Sequence, residues 1–147
     1  MGIGNTLLGD DGVGIYIARR LKQEFSRHDT IDVKEATAVG GIALLDFIAG
    51  YSVVSIVDAI ITKQGKPGDI YKLTVEDLGT AIKPHMLHAI DIRTAIELGR
   101  QLGYQIPEAI TLYAIEIEDN TFFKEGLSPE IEAVIPAVIQ QIVNDLS

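Results

Sequence analysis

Two adjacent carboxylates, Asp10 and Asp11, stand inside the glycine-rich stretch Gly2-Ile3-Gly4-Asn5-Thr6-Leu7-Leu8-Gly9-Asp10-Asp11-Gly12-Val13-Gly14. The stretch opens like a phosphate-cradling loop. A dinucleotide fingerprint, however, needs a further glycine three residues after the second, and that position is Leu7. Both acids would also repel a pyrophosphate from the start of the following helix, the end that attracts anions. A glycine turn that aims a carboxylate into a cleft suits metal binding or proton transfer better. The plain alternative is that one of the pair caps the helix.

A third acid, Asp58, closes the apolar run Val53-Val54-Ser55-Ile56-Val57. A carboxylate in such a place is costly to bury unless it is paired, hydrogen-bonded or metal-bound. The chain has 3 histidines. His28, in Arg27-His28-Asp29, suits the carbonyl end of the first helix and needs no further role. His85 and His88 fall in a weakly patterned stretch ahead of a helix. If that loop brings one of them toward Asp11 and Asp58, two carboxylates and an imidazole make a site acceptable to zinc, nickel or iron. His85-x-x-His88 acting as a local pair, and two solvated loop residues, are the other readings. Glu116, Glu118 and Asp119 crowd the end of another strand, where acids are usually solvated or capping.

What the chain lacks narrows the chemistry. With no cysteine there is no thiol nucleophile, no thiolate-held zinc and no disulfide. No Gly-x-Ser-x-Gly elbow is present. Twelve Lys and Arg against 21 Asp and Glu give a net charge of −9, which argues against a nucleic-acid partner. Aromatic residues are only 6% and Trp is absent, so no platform for stacking bases stands out. No apolar run is long enough to span a bilayer, and no signal-peptide pattern occurs. The expectation is a soluble cytoplasmic monomer with one domain over residues 1–147.

The elements that must position these residues follow from periodicity. Val13, Ile17, Ala18 and Leu21 predict a helix from about Asp10 to Phe25. Ile31 to Glu35 reads as a short strand, and Leu44, Leu45 and Ile48 mark a second helix. Tyr51 to Ala59 is a nearly unbroken β-branched run, as expected of a buried parallel strand ending in Asp58. Lys66-Pro67-Gly68 is a turn before an extended segment from Ile70 to Leu73. Ile90 to Leu102 returns to helical spacing, closed by Gly99 or Gly103, and Ala109 to Ile117 is a further apolar strand. Ser128-Pro129-Glu130 predicts a helix start with a capping hydroxyl, and that helix runs to about Leu146 with Pro136 kinking or dividing it.

Alternating strands and helices give an α/β three-layer sandwich, a mostly parallel twisted sheet with helices on both faces. Only Met1 to Ile3 precede the glycine loop, so the first strand is expected to be truncated. Lengthening it by several apolar residues should raise the melting temperature.

In this order the motifs resemble the nickel–iron hydrogenase maturation endopeptidases. The opening Gly-x-Gly-Asn-x-Leu-x-x-Asp-Asp-Gly-x-Gly is similar to that family's first motif. Gly40-Gly41-Ile42-Ala43-Leu44-Leu45-Asp46 resembles its second helix, and Ser55-Ile56-Val57-Asp58-Ala59-Ile60 its acid-ended strand. Gly65-Lys66-Pro67-Gly68 with Ile70-Tyr71 looks like the family turn and strand. His88, six residues ahead of Thr94-Ala95-Ile96-Glu97-Leu98-Gly99, falls where the family has its histidine, and Gly126-Leu127-Ser128-Pro129-Glu130 resembles the start of its final helix. Where relatives often carry Asp-Gly-Gly-Thr before the second helix, this chain has Glu35-Ala36-Thr37-Ala38-Val39. The resemblance implies removal of a C-terminal extension from a hydrogenase large-subunit precursor after nickel insertion. It implies Asp11, Asp58 and His88 as the groups that contact nickel carried by that substrate. A non-catalytic chaperone for the precursor, and a nucleotide-binding module, are the competing readings.

Overall fold

The apolar runs assemble into one sheet in the computed structural model, which describes residues 1–37, 39, 41–79, 89–118 and 122–147. Among these residues the strands are β1 (Gly2–Ile3), β2 (Glu35–Ala36), β3 (Val53–Ile60), β4 (Ile70–Thr74) and β5 (Ala109–Glu116). Their order is β2-β1-β3-β5-β4. The first four in that order pair in parallel, and β4 runs antiparallel to β5 at the edge. The helices are α1 (Val13–Glu24), α2 (Ala43–Ile48), α3 (Ala89–Gln101) and α4 (Pro129–Leu146). A 3-10 turn over Gly9–Gly12 leads into α1.

Each face of the sheet carries its own core. On one, Leu44, Leu45 and Ile48 of α2 and Ile92 and Ile96 of α3 meet Ile3, Val54, Ile56, Ile60, Leu112 and Ala114. On the other, Val13, Ile17 and Leu21 of α1 and Ile131, Ile135, Val138 and Ile142 of α4 meet Val57, Tyr113 and Ile115. Burying each such branched side chain contributes roughly 1.5–3 kcal/mol, so the two apolar layers hold the sandwich without disulfides. Side chains alternate along a strand, which puts Asp58 in phase with Ile56 and Ile60, toward α2 and α3.

The chain passes from β1 over the α1 face to β2, then over the α2 face to β3 on the far side of β1. Strand order therefore reverses between β1 and β3, and the carboxyl ends of strands flanking such a reversal are where parallel sheets bind ligands. Two of the motif glycines serve this junction. A Cβ on Gly14 would lie 2.2 Å from the Ile3 carbonyl oxygen and 2.4 Å from that of Val57, so the first turn of α1 rests directly on both strands. Gly4 has φ +153°, and a Cβ there would lie 2.2 Å from the Asp11 carbonyl oxygen. The glycines that mimic a nucleotide loop are there for backbone packing.

Several elements differ from the sequence expectation. β2 has only two residues, not five, because a ladder forms only opposite a partner. Glu35 and Ala36 pair with Gly2 and Ile3, the whole of β1. The shortness of β1 thus limits the length of its neighbour. β3 continues to Ile60, so Asp58 lies two residues inside the strand and does not end it. α3 runs through Gly99 to Gln101, leaving Gly103 (φ +80°) in the turn that follows. α4 is one continuous helix across Pro136, which does not divide it.

Candidate functional site at the carboxyl edge of β1 and β3

The adjacent acids of the opening motif have different fates. Asp10 is buried and its Oδ1 accepts the Ser128 backbone N–H at 2.6 Å. It anchors the start of α4, 118 residues away in sequence, and its charge lies at the end of that helix where amide dipoles favour an anion. The expected capping hydroxyl of Ser128 makes no cap bond. Asp11 turns back along its own loop, where its Oδ2 accepts the Asn5 N–H at 3.0 Å and the side chain is half-buried. This bond fixes the carboxylate beside the end of β1.

Asp58 is 1% exposed, and its Oδ1 accepts the Ala59 N–H at 2.8 Å. It projects from the neighbouring strand at the level where β1 gives way to the glycine loop, since Gly2 is in register with Val57. Asp11 and Asp58 thus belong to the same edge, on either side of the point where strand order reverses. His88, together with His85, lies outside the described residues, as does Asp119. α3 begins at Ala89 on the sheet face toward which Asp58 points. Among the described residues, no group of three or more His, Asp and Glu is disposed to hold a metal. His28, beyond the last residue of α1, is exposed and stands edge-on to Phe25 with ring centroids 5.5 Å apart.

Glu116 is neither solvated nor a helix cap. It is 2% exposed and accepts the Thr62 N–H at 2.6 Å, the Thr62 hydroxyl at 2.9 Å and the Tyr71 hydroxyl at 3.1 Å. Gly65 packs over it so closely that a Cβ would sit 2.3 Å from Oε2. Burial, with the nearby Glu116 charge adding to it, raises the Tyr71 pKa above the usual phenol value. Glu116 therefore ties the loop after β3 to β4 and β5. A cavity of about 330 Å³ lies at the opposite edge among Ile31, Lys34, Phe47, Tyr51 and Val54 and touches none of the candidate acids. A smaller one of about 210 Å³ lies beside the glycine loop, lined by Gly9, Asp10, Phe122, Lys124, Gly126 and Ser128. Chemistry and topology favour the carboxyl edge over cavity size.

These features define an α/β/α protein with two acids at the topological switch point of a mostly parallel sheet. The family model described as hydrogenase maturation protease matches residues 15–145. The hydrogenase 2 maturation protease of Escherichia coli (strain K12) is 29% identical over 147 residues, spanning 97% of this chain and 86% of that protein. The solved hydrogenase maturating endopeptidase HybD from E. coli superposes with a TM-score of 0.80 at 26% identity, covering 99% of this chain and 88% of that one. A hydrogenase 2 maturation peptidase from a Thaumarchaeota archaeon gives a TM-score of 0.68 at 26% identity, covering 99% and 95% respectively. The chain belongs to the hydrogenase maturation protease family.

Proposed function

We propose that this protease is the endopeptidase that removes the C-terminal extension of a nickel–iron hydrogenase large-subunit precursor after nickel insertion. Asp11, Asp58 and His88 are the residues assigned to the nickel, which arrives as part of the substrate. The observation that carries this reading is the buried carboxylate of Asp58 at the switch point, with the Asp11 loop on the adjoining strand end. Carboxylate oxygens together with an imidazole suit a transition-metal ion, so Asp11 and Asp58 have the donor chemistry to meet a cation brought by the substrate. The sequence offers neither a thiol nor a serine elbow, so the attacking group is water. A metal held against these side chains polarises a carbonyl or lowers the pKa of water bound to it. Among the described residues no helix is long and apolar enough to cross a membrane, and we place the reaction in the cytoplasm, carried out by a monomer.

Mass spectrometry of the precursor tests the reading. Incubation with the protein should shorten nickel-loaded precursor by the mass of a C-terminal peptide and leave nickel-free precursor intact. Tight binding with no loss of mass from either form would establish a chaperone instead.

A further inference from the structure

Large apolar side chains stand exposed on the same edge as the candidate acids. Leu7, in the loop after β1, is 53% exposed; Ile42, between β2 and α2, is 50% exposed; Phe122 and Phe123, beyond β5, are 76% and 85% exposed. Exposing two consecutive phenylalanines costs solubility, and a contiguous apolar patch rimmed by polar groups marks an interaction surface. The segment carrying them is pinned to the glycine loop. The Lys124 N–H donates to the Leu7 carbonyl at 3.0 Å and the Gly9 N–H to the Lys124 carbonyl at 2.6 Å, with Leu8 and Lys124 forming a parallel bridge. Leu7 and the two phenylalanines therefore share one rim, with Leu7 three residues before Asp10 and four before Asp11 in sequence.

Strand order turns these positions into a row. Ile42 follows β2, Leu7 follows β1, Asp58 lies on β3, and Phe122 and Phe123 follow β5, the order in which the strands stand in the sheet. Apolar groups thus flank the two acids along the strand ends. Glu118 and Glu125, both exposed, border the phenylalanine side, and the chain as a whole carries −9. Resting on the proposed protease function, we propose that this row docks the precursor itself. It would hold, in extended form, the segment on either side of the scissile bond, with apolar residues against Leu7, Phe122 and Phe123 and a basic flank against the acids. Aromatic anchors beside a reacting centre carry a large share of binding energy.

The test compares processing of nickel-loaded precursor by wild type, by Phe122→Ser/Phe123→Ser, by Glu125→Lys, and by Leu102→Ser as a control at the opposite edge. The double variant should raise KM about tenfold or more with little change in kcat and no change in melting temperature, since both rings are exposed. Glu125→Lys should raise KM by a smaller factor, Phe122→Leu/Phe123→Leu should restore most of the affinity, and Leu102→Ser should leave both constants as they are. A KM unchanged in the double serine variant, with wild type active, overturns the docking row and leaves the protease reading standing. A wild type that shortens no precursor overturns both.

Discussion

Asp58 and Glu116 are acids of one kind in nearly equivalent places. Both are almost completely buried, on neighbouring strands β3 and β5, near the carboxyl edge of the same sheet. Their surroundings differ. Glu116 is enclosed by its own chain, with three donors from Thr62 and Tyr71 on its two oxygens and Gly65 laid across it. Asp58 lies where the strand order reverses, alongside the loop that carries Asp11, at the strand ends where parallel sheets bind their ligands. Burial alone therefore does not assign an acid its role. Position separates the two: Glu116 is enclosed by the loop after β3 and by β4, whereas Asp58 stands beside the reversal of strand order.

That contrast can be broken by substitution, and the largest effect is on turnover. Asp58→Asn, Asp11→Asn and His88→Ala should each reduce precursor processing by about 100-fold or more, the scale of losing a group at the reacting centre. Circular dichroism and melting temperature should stay close to wild type. Normal processing by all three variants would break the assignment. Glu116→Ala should do the reverse. It strands the Thr62 N–H and should cost about 3 kcal/mol in urea unfolding, while the folded fraction still cleaves the precursor. If Glu116→Ala instead abolished cleavage without lowering stability, the division between the two acids would be wrong.

The Asp10–Asp11 pair sharpens the same contrast on a smaller scale. Asp10→Ala removes the carboxylate from the start of α4 and should cost about 1–2 kcal/mol of stability, read by urea unfolding, with processing per folded molecule retained. The smallest effect is at exposed Asp145, whose carboxyl is held below its usual range first by the hydrogen bond from Lys72 and then by that from Tyr113. A folded pKa below the unfolded one gives stability that is present above the unfolded value and lost as pH falls through the folded one. Asp145→Asn should therefore lower the unfolding midpoint slightly at neutral pH, and the difference should vanish in acid below the carboxylate range. A difference that grew toward low pH would contradict the contact.

The layers and most elements were legible because they depend on local pattern. The β-branched run of β3, the helical spacing of Val13, Ile17 and Leu21, and the Ser-Pro-Glu start of α4 declare themselves within a few residues. Asp58 was legible as a lone acid in an apolar run, although β3 extends two residues past it. The role of Asp10 was not, because its partner is 118 residues away. Nor was that of Glu116, whose donors come from the loop after β3 and from β4. The pairing limit on β2 depends on how many residues β1 offers, and no property of Ile31 to Glu35 reveals it. The exposure of Phe122 and Phe123 is likewise a tertiary outcome, since phenylalanine is more often buried than exposed.

If side chains at the switch point bind the nickel carried by the precursor, the metal's ligand set must change when the two proteins meet. Nickel-edge X-ray absorption of nickel-loaded precursor, alone and in complex with this protein, addresses it directly. Additional oxygen and nitrogen ligands on nickel are expected in the complex, with the oxygen contribution reduced in complexes with Asp11→Asn or Asp58→Asn. A nickel spectrum unchanged on binding wild type would contradict it.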